Sequence, residues 1–176
     1  MLLNQLETKR LIFRPLTLAD APTLLSFWEN AQAIRYLSPP DAVQQHCVTW
    51  IQRQIARYEN DNVGLMALIC QSTGAFIGQC GLVWQFVGNR DELEVGYHIQ
   101  PEYWGQGYAT EAAKACLSQA FTQKLAPSVI SIIHVNNVAS QRVATRNGLQ
   151  REQMSQFKGF PVYIYRIFEE VFTTSQ

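Results

Sequence analysis

Pro101-Glu102-Tyr103-Trp104-Gly105-Gln106-Gly107-Tyr108-Ala109-Thr110-Glu111-Ala112 is the stretch from which the rest of the chain can be read. Two glycines one residue apart let a backbone turn tightly and approach a ligand without Cβ interference. Directly behind them begins the most regular helical pattern in the sequence. Ala109, Ala112, Ala113, Cys116, Ala120 and Phe121 recur at the spacing of one helix face, and its first two turns carry only alanine. Such a helix can lie close to a sheet and leave room for a slender ligand. The first N–H groups of any helix lack internal partners and carry the positive end of its dipole, so a phosphate fits there. On the glycines alone two readings stand: a bare strand-to-helix turn, or an anion cradle.

Outward from this segment, Leu93–Ile99 reads as a strand on one side. On the other, Ser128–Val135 is nearly all apolar and β-branched, as expected of a strand buried on both faces. A strand, a helical crossover and a second strand predict a parallel pair. Further out, Val63–Cys70, a turn at Ser72-Thr73-Gly74 and Ala75–Val87 predict an antiparallel hairpin, and Gly88-Asn89-Arg90-Asp91 turns the chain into Leu93–Ile99. Leu11–Arg14 is a short strand closed by Pro15, and Thr17 with Asp20 caps a helix over Ala21–Glu29. Tyr36–Pro40 is a loop, after which Asp41 caps a helix running to about Tyr58. Asn137 begins a helix over Val138–Arg146 that Gly148 ends, and late strands are expected at Glu152–Lys158 and Tyr163–Phe172. The sum is an α/β chain with a mixed sheet, and without repeats or linkers it predicts a single domain over residues 1–176.

The 176 residues are 47% hydrophobic and 16% charged, enough apolar content to exclude a disordered chain. Fourteen basic against fourteen acidic residues give no excess that would point to nucleic acid or an anionic membrane. The opening MLLNQLETKR is too short in apolar residues for a secretory core, and no run approaches the about 20 residues of a membrane span. Cys47, Cys70, Cys80 and Cys116 form no CxxC pair, and His46, His98 and His134 show no ligand spacing. Reduced cysteines, no metal site and a cytoplasmic setting are therefore expected.

Two phosphate-binding motifs fail in detail. A dinucleotide fingerprint wants glycine or alanine where Thr110 stands and an acidic residue at the end of the next strand, which instead reads His134-Val135-Asn136-Asn137. A P-loop needs Gly-Lys-Ser/Thr, which is absent. Glu94-Val95-Gly96-Tyr97 followed by Tyr103–Ala112 resembles the acetyl-CoA motif of GNAT N-acetyltransferases. Asn137-Val138-Ala139-Ser140, Arg142-Val143 and Asn147-Gly148-Leu149 resemble the second cofactor segment of that family. Thr8-Lys9-Arg10-Leu11-Ile12-Phe13-Arg14-Pro15 resembles the start of its RimJ/RimL branch, which acetylates ribosomal-protein N-termini and other amines. The likeness runs in order from about residue 7 to 172.

The resemblance implies a mostly antiparallel sheet with helices on both faces and one parallel pair that splays to receive the pantetheine arm of acetyl-CoA. Tyr97, His98 and Ile99 would offer main-chain bonds to the arm. Gly105, Gln106, Gly107, Tyr108, Ala109 and Thr110 would cradle the pyrophosphate, and Asn137 and Ser140 would contact the arm from the other side. Asn137 is equally a helix cap. An amine would attack the thioester directly in a ternary complex. Glu94 is the candidate base or a solvated strand charge; His98 is a proton relay or a packed histidine. Many family members carry a tyrosine acid seven residues after the asparagine. Here that position is Ala144, which leaves Ser140 or water to protonate the thiolate. The implied acceptor is a peptide or small-molecule primary amine, shaped by Trp28, Tyr36, Trp50, Tyr163 and Tyr165 if these are not simply core. The implied assembly is a monomer or homodimer. The rivals are a non-catalytic acyl-CoA sensor and a nicotinamide enzyme.

Overall fold

A computed structural model describes residues 1–37 and 41–174. Seven strands form one sheet: β1 (Leu11–Arg14), β2 (Gly64–Cys70), β3 (Phe76–Val87), β4 (Arg90–Ile99), β5 (Ser128–His134), β6 (Gln150–Phe157) and β7 (Phe160–Phe168). Their spatial order is β1-β2-β3-β4-β5-β7-β6, and every neighbouring pair is antiparallel except β4 and β5. The helices are α1 (Ala21–Trp28), α2 (Val43–Asp61), α3 (Tyr108–Thr122), α4 (Val138–Arg146) and α5 (Glu169–Thr174). This is the mixed α/β sheet that the change from period 3.6 to period 2 predicted.

Alternation along the strands divides the core into two layers. On one face the alanine stripe of α3 (Ala112, Ala113, Cys116, Ala120) packs on Leu68, Cys80, Leu93 and Val95. Small side chains let the helix approach until Cys116 Sγ lies 3.7 Å from Cys80 Sγ on β3. On the other face α1 and α2 bury Leu24, Phe27, Trp28, Cys47 and Ile51 against Ala67. Among the described residues, no helix is long and apolar enough to cross a membrane.

Several boundaries differ from the sequence reading, four of them for a local reason. The capping pair Thr17 and Asp20 opens a short 3-10 turn, Leu18–Asp20, rather than α1 itself; Asp20 accepts from the Thr17 N–H at 2.8 Å and binds Arg14 through both oxygens. Asp41 does not cap α2, whose N-cap is Ala42. β4 begins at Arg90, because Gly88 (φ 58°) and Asn89 (φ 67°) close a two-residue hairpin by themselves. The last strand stops at Phe168: Glu169–Thr174 turns helical and carries Phe172 back against Phe121. Part of the expected loop, residues 38–40, lies outside the described residues.

One buried ion pair crosses the sheet below the parallel strands. Arg166 on β7 grips Glu92 on β4 with two nitrogens at 2.7 and 2.9 Å, and it also donates to Ser128 and Glu152. Both partners of the pair expose under a tenth of their side chains.

Candidate active site

β4 and β5 share a single register pair, Glu94↔Ile130, and beyond it the strands diverge. Each is fully paired on its other edge, β4 with β3 and β5 with β7. The hairpin closure at Val87↔Arg90 and the Gln100 N–H bond to the Ile77 carbonyl fix the alternation: even-numbered residues of β4 turn their peptide groups toward β3. Odd-numbered residues therefore point their N–H and C=O groups into the gap. Tyr97 and Ile99 do so. His98 does not: its main chain is committed to Gln79 on β3, so the main-chain bond that the resemblance implies for His98 has no free peptide group there. The Ile99 carbonyl already accepts the Trp104 indole N–H at 2.7 Å. An unpaired peptide group away from water costs roughly 1–3 kcal/mol, a cost that an occupant with its own donors and acceptors would offset.

The gap leads to the start of α3. Gly105 (φ 75°) and Gly107 (φ 82°) both adopt the left-handed conformation that side chains disfavour. A Cβ on Gly105 would meet nothing within 4 Å, so the space in front of the turn is open. Gly107 is the N-cap and offers no capping side chain, and the first intrahelical bond is Glu111 N–H to the Gly107 carbonyl. No group among the described residues accepts from the main-chain N–H of Gln106 through Thr110. Glu111 is turned away from the helix end. It accepts from the Thr8 hydroxyl (2.7 Å), the Arg10 N–H (2.9 Å) and the Arg10 guanidinium (2.7 Å). Arg10 also donates to the Gln106 carbonyl at 2.9 Å and stacks 4.2 Å from the Tyr108 ring centroid. The opening Thr8-Lys9-Arg10 segment thus fixes the loop and neutralises the Glu111 carboxylate, a role that the sequence spacing does not reveal.

Across the gap, Asn137 caps α4 by accepting the Ser140 N–H at 3.1 Å. The Ser140 carbonyl accepts the Tyr97 hydroxyl at 2.9 Å, so a side chain ties β4 to α4 where their main chains do not meet. Burial pushes the Tyr97 phenol pKa up, against bonds to Ser131 and Ser140. The Ser140 side chain lies within hydrogen-bonding reach of the Tyr97 phenol. Ala144, one turn further, is buried in the core and supplies no acid.

The opposite face of the gap carries Glu94 and His98. Glu94 accepts from Gln85 Nε2 at 2.8 Å. Burial is the largest influence on its carboxyl and raises the pKa above the ordinary value, against the Gln85 bond, the Ile132 N–H and the charges of Lys158 and Arg57. His98 lies 5.6 Å from the Phe27 ring and 5.7 Å from Trp50. Burial lowers its pKa to about 4, which keeps the imidazole neutral and favours packing over proton relay. Trp28, His46 and Trp50 extend this aromatic wall, while Tyr36 packs with its ring centroid 4.9 Å from that of His134. Tyr163 and Tyr165 instead pack on the α3 side, where the Tyr165 hydroxyl donates to Gln141 of α4. No group of three His, Cys, Asp or Glu residues among those described is placed to hold a metal ion.

Geometry and ancestry agree on the class. Residues 10–150 match the model of the acetyltransferase (GNAT) domain, and the chain belongs to that family. It is 32% identical to YkkB of Bacillus subtilis over 92% of this chain and 94% of that one. Among solved structures, an acetyltransferase from Agrobacterium tumefaciens superposes with a TM-score of 0.79 at 26% identity, covering 92% of each chain. A RimL ribosomal L7/L12 α-N-protein acetyltransferase in complex with coenzyme A superposes at 0.73 with 18% identity, covering 92% of this chain and 95% of that one.

Proposed function

We propose that residues 1–176 form one acetyltransferase domain that moves acetyl from acetyl-CoA to a primary amine, a peptide N-terminus or a small molecule, by direct attack in a ternary complex. The observation that carries this reading is the fork at Glu94↔Ile130, whose open β4 edge runs toward an uncapped helix start. Acetyl-CoA would supply the activated acetyl group. The residues fit it: Tyr97 and Ile99 turn peptide groups into the gap, and Gly105 through Thr110 present main-chain N–H groups to a pyrophosphate. Asn137 and Ser140 border the arm from α4. That the RimL structure holds coenzyme A supports the assignment, and four free cysteines suit a cytoplasmic setting.

Glu94 takes the proton from the attacking nitrogen, directly or through water. Its raised pKa makes it a stronger base than an exposed carboxylate. An α-amine with pKa near ~8 is already partly neutral at pH 7 and makes the smallest demand on that base. The Ser140 hydroxyl is the proton donor to the leaving sulfur. The second reading, a non-catalytic acyl-CoA sensor, is favoured by Ala144 at the family's acid position. Free-thiol release from acetyl-CoA across a panel of amines and peptides separates the two. Turnover with any acceptor supports the enzyme; tight coenzyme A binding without release across the panel supports the sensor.

A further inference from the structure

One face of α2 carries His46, Trp50, Arg53 and Arg57 at i, i+4, i+7 and i+11, a single helical stripe. Its first half joins the aromatic wall beside His98. Its second half is cationic and faces Glu94: Arg57 and Glu94 act on each other electrostatically, and Arg53 acts on His46, Arg57 and Lys158. Lys158 comes from the opposite wall. The β6–β7 turn places Lys158 (φ 49°) and Gly159 (φ 83°) in left-handed conformations, and the ammonium lies 5.1 Å from the Phe157 ring centroid, within electrostatic reach of Glu94, Arg53 and Arg57.

Three cations from two elements therefore converge on the acceptor side of the fork, and the carboxylates that act on them are Glu94 and Asp61. None of the three is in an ion pair; the ion pairs among the described residues use Arg10, Arg14, Arg90 and Arg166. Beside Arg57, which donates to Gln54 Oε1 at 3.4 Å, the buried Gln54 Nε2 has no acceptor. Mutually repelling cations raise the local potential and favour an anion arriving from solvent. Clustered positive charge also works against a polyamine or any acceptor with a second ammonium.

We propose that the acceptor carries a carboxylate close to the acetylated amine, and that Arg53, Arg57 and Lys158 bind this carboxylate while the amine lies at Glu94. The inference rests on the acetyltransferase reading and on Glu94 marking its acceptor side. The carboxylate has two sources, the α-carboxylate of a free amino acid or an acidic side chain next to a peptide N-terminus.

Rates are measured with acetyl-CoA and free serine, a Ser-Asp-Asp-Ala peptide, a Ser-Lys-Lys-Ala peptide and diaminopentane, using wild type, K158E and the R53Q/R57Q/K158Q triple variant. Lys158 is solvent-exposed in a turn, so K158E serves even if the triple variant is poorly folded. The proposal expects at least a tenfold preference in kcat/KM for a carboxylate-bearing acceptor over the lysine peptide and the diamine. It expects this preference to fall mainly through KM in K158E and to vanish in the triple variant. Preference for serine over both peptides assigns the carboxylate to a small acceptor; preference for the aspartate peptide assigns it to a side chain. Equal or better use of the lysine peptide or diamine overturns the proposal, as does an acidic preference that survives all three substitutions. Equilibrium binding of the same acceptors to coenzyme A-loaded protein gives the same ratio if no acceptor turns over. Failure to bind coenzyme A would overturn the acetyltransferase reading on separate grounds, while direct acceptor binding would still decide this one.

Discussion

Replacing Gly107 by glutamate separates two contributions that the start of α3 combines. At φ 82° any side chain pays the left-handed penalty, roughly 1–2 kcal/mol. Contact adds little, because the nearest atom to a Cβ there would be Arg10 Nη2 at 3.6 Å. The strain burdens free and bound protein alike, so it lowers the melting temperature, by about 2–8 °C in a chain of this size, without lowering affinity. The charge acts on affinity. A carboxylate about 4 Å from a phosphate charge costs about 1 kcal/mol in a water-like medium and about 4 kcal/mol at an effective dielectric of 20. Coenzyme A binding should therefore weaken about fivefold to a thousandfold, toward the lower end if the new carboxylate pairs with Arg10. Gly107→Asn is the control, since asparagine tolerates this backbone and brings no charge; it should bind within a few-fold of wild type. Calorimetric titration at low salt and near 1 M salt, where screening acts within about 3 Å, should show the glutamate penalty shrinking. Wild-type affinity in Gly107→Glu would refute the pyrophosphate assignment.

Glu94→Gln should lower kcat/KM by about 10²–10⁴. Wild-type activity rises with pH as the raised Glu94 carboxyl ionises, so the variant should keep only the limb set by the acceptor amine; an unchanged pH–rate profile removes Glu94 as base. Arg166→Ala strands the Glu92 carboxylate in a buried position and should cost about 3–5 kcal/mol in urea unfolding at pH 7. Bonds from Arg166, and less so the charge of Arg90, hold the Glu92 pKa below the usual range despite burial. Its contribution is therefore present above the ordinary carboxylate pKa and lost as pH falls through the lowered value. Acid destabilisation should be shallower in the variant, and wild-type stability at pH 7 would contradict the buried-pair account.

Much of this architecture is legible without coordinates, because the informative segments follow a single period. The alanine stripe of α3 and the β-branched run of β5 allow few alternatives, and together they imply the parallel pair. Errors fall where local chemistry is ambiguous. Phe168 through Phe172 continues a strand-like pattern, yet Glu169 and Glu170 start a helix that buries Phe172. Asp41 looks like a cap, but Ala42 holds that position. Successive residues of a strand turn their peptide groups to opposite edges, so the run Tyr97, His98 and Ile99 implied by the resemblance includes one residue, His98, that faces β3. The Arg10–Glu111 clasp joins residues 101 apart and has no periodic signature. The stripe His46, Trp50, Arg53 and Arg57 was readable by spacing alone; its significance depends on Lys158 arriving from another element.

Residue-resolved amide hydrogen exchange with and without coenzyme A tests the fork most directly. The account predicts at least tenfold added protection at Tyr97, Ile99 and the amides from Gln106 to Thr110, while His98, already paired to β3, changes little. Binding that leaves Tyr97 and the glycine turn as exchangeable as in the free protein would contradict it.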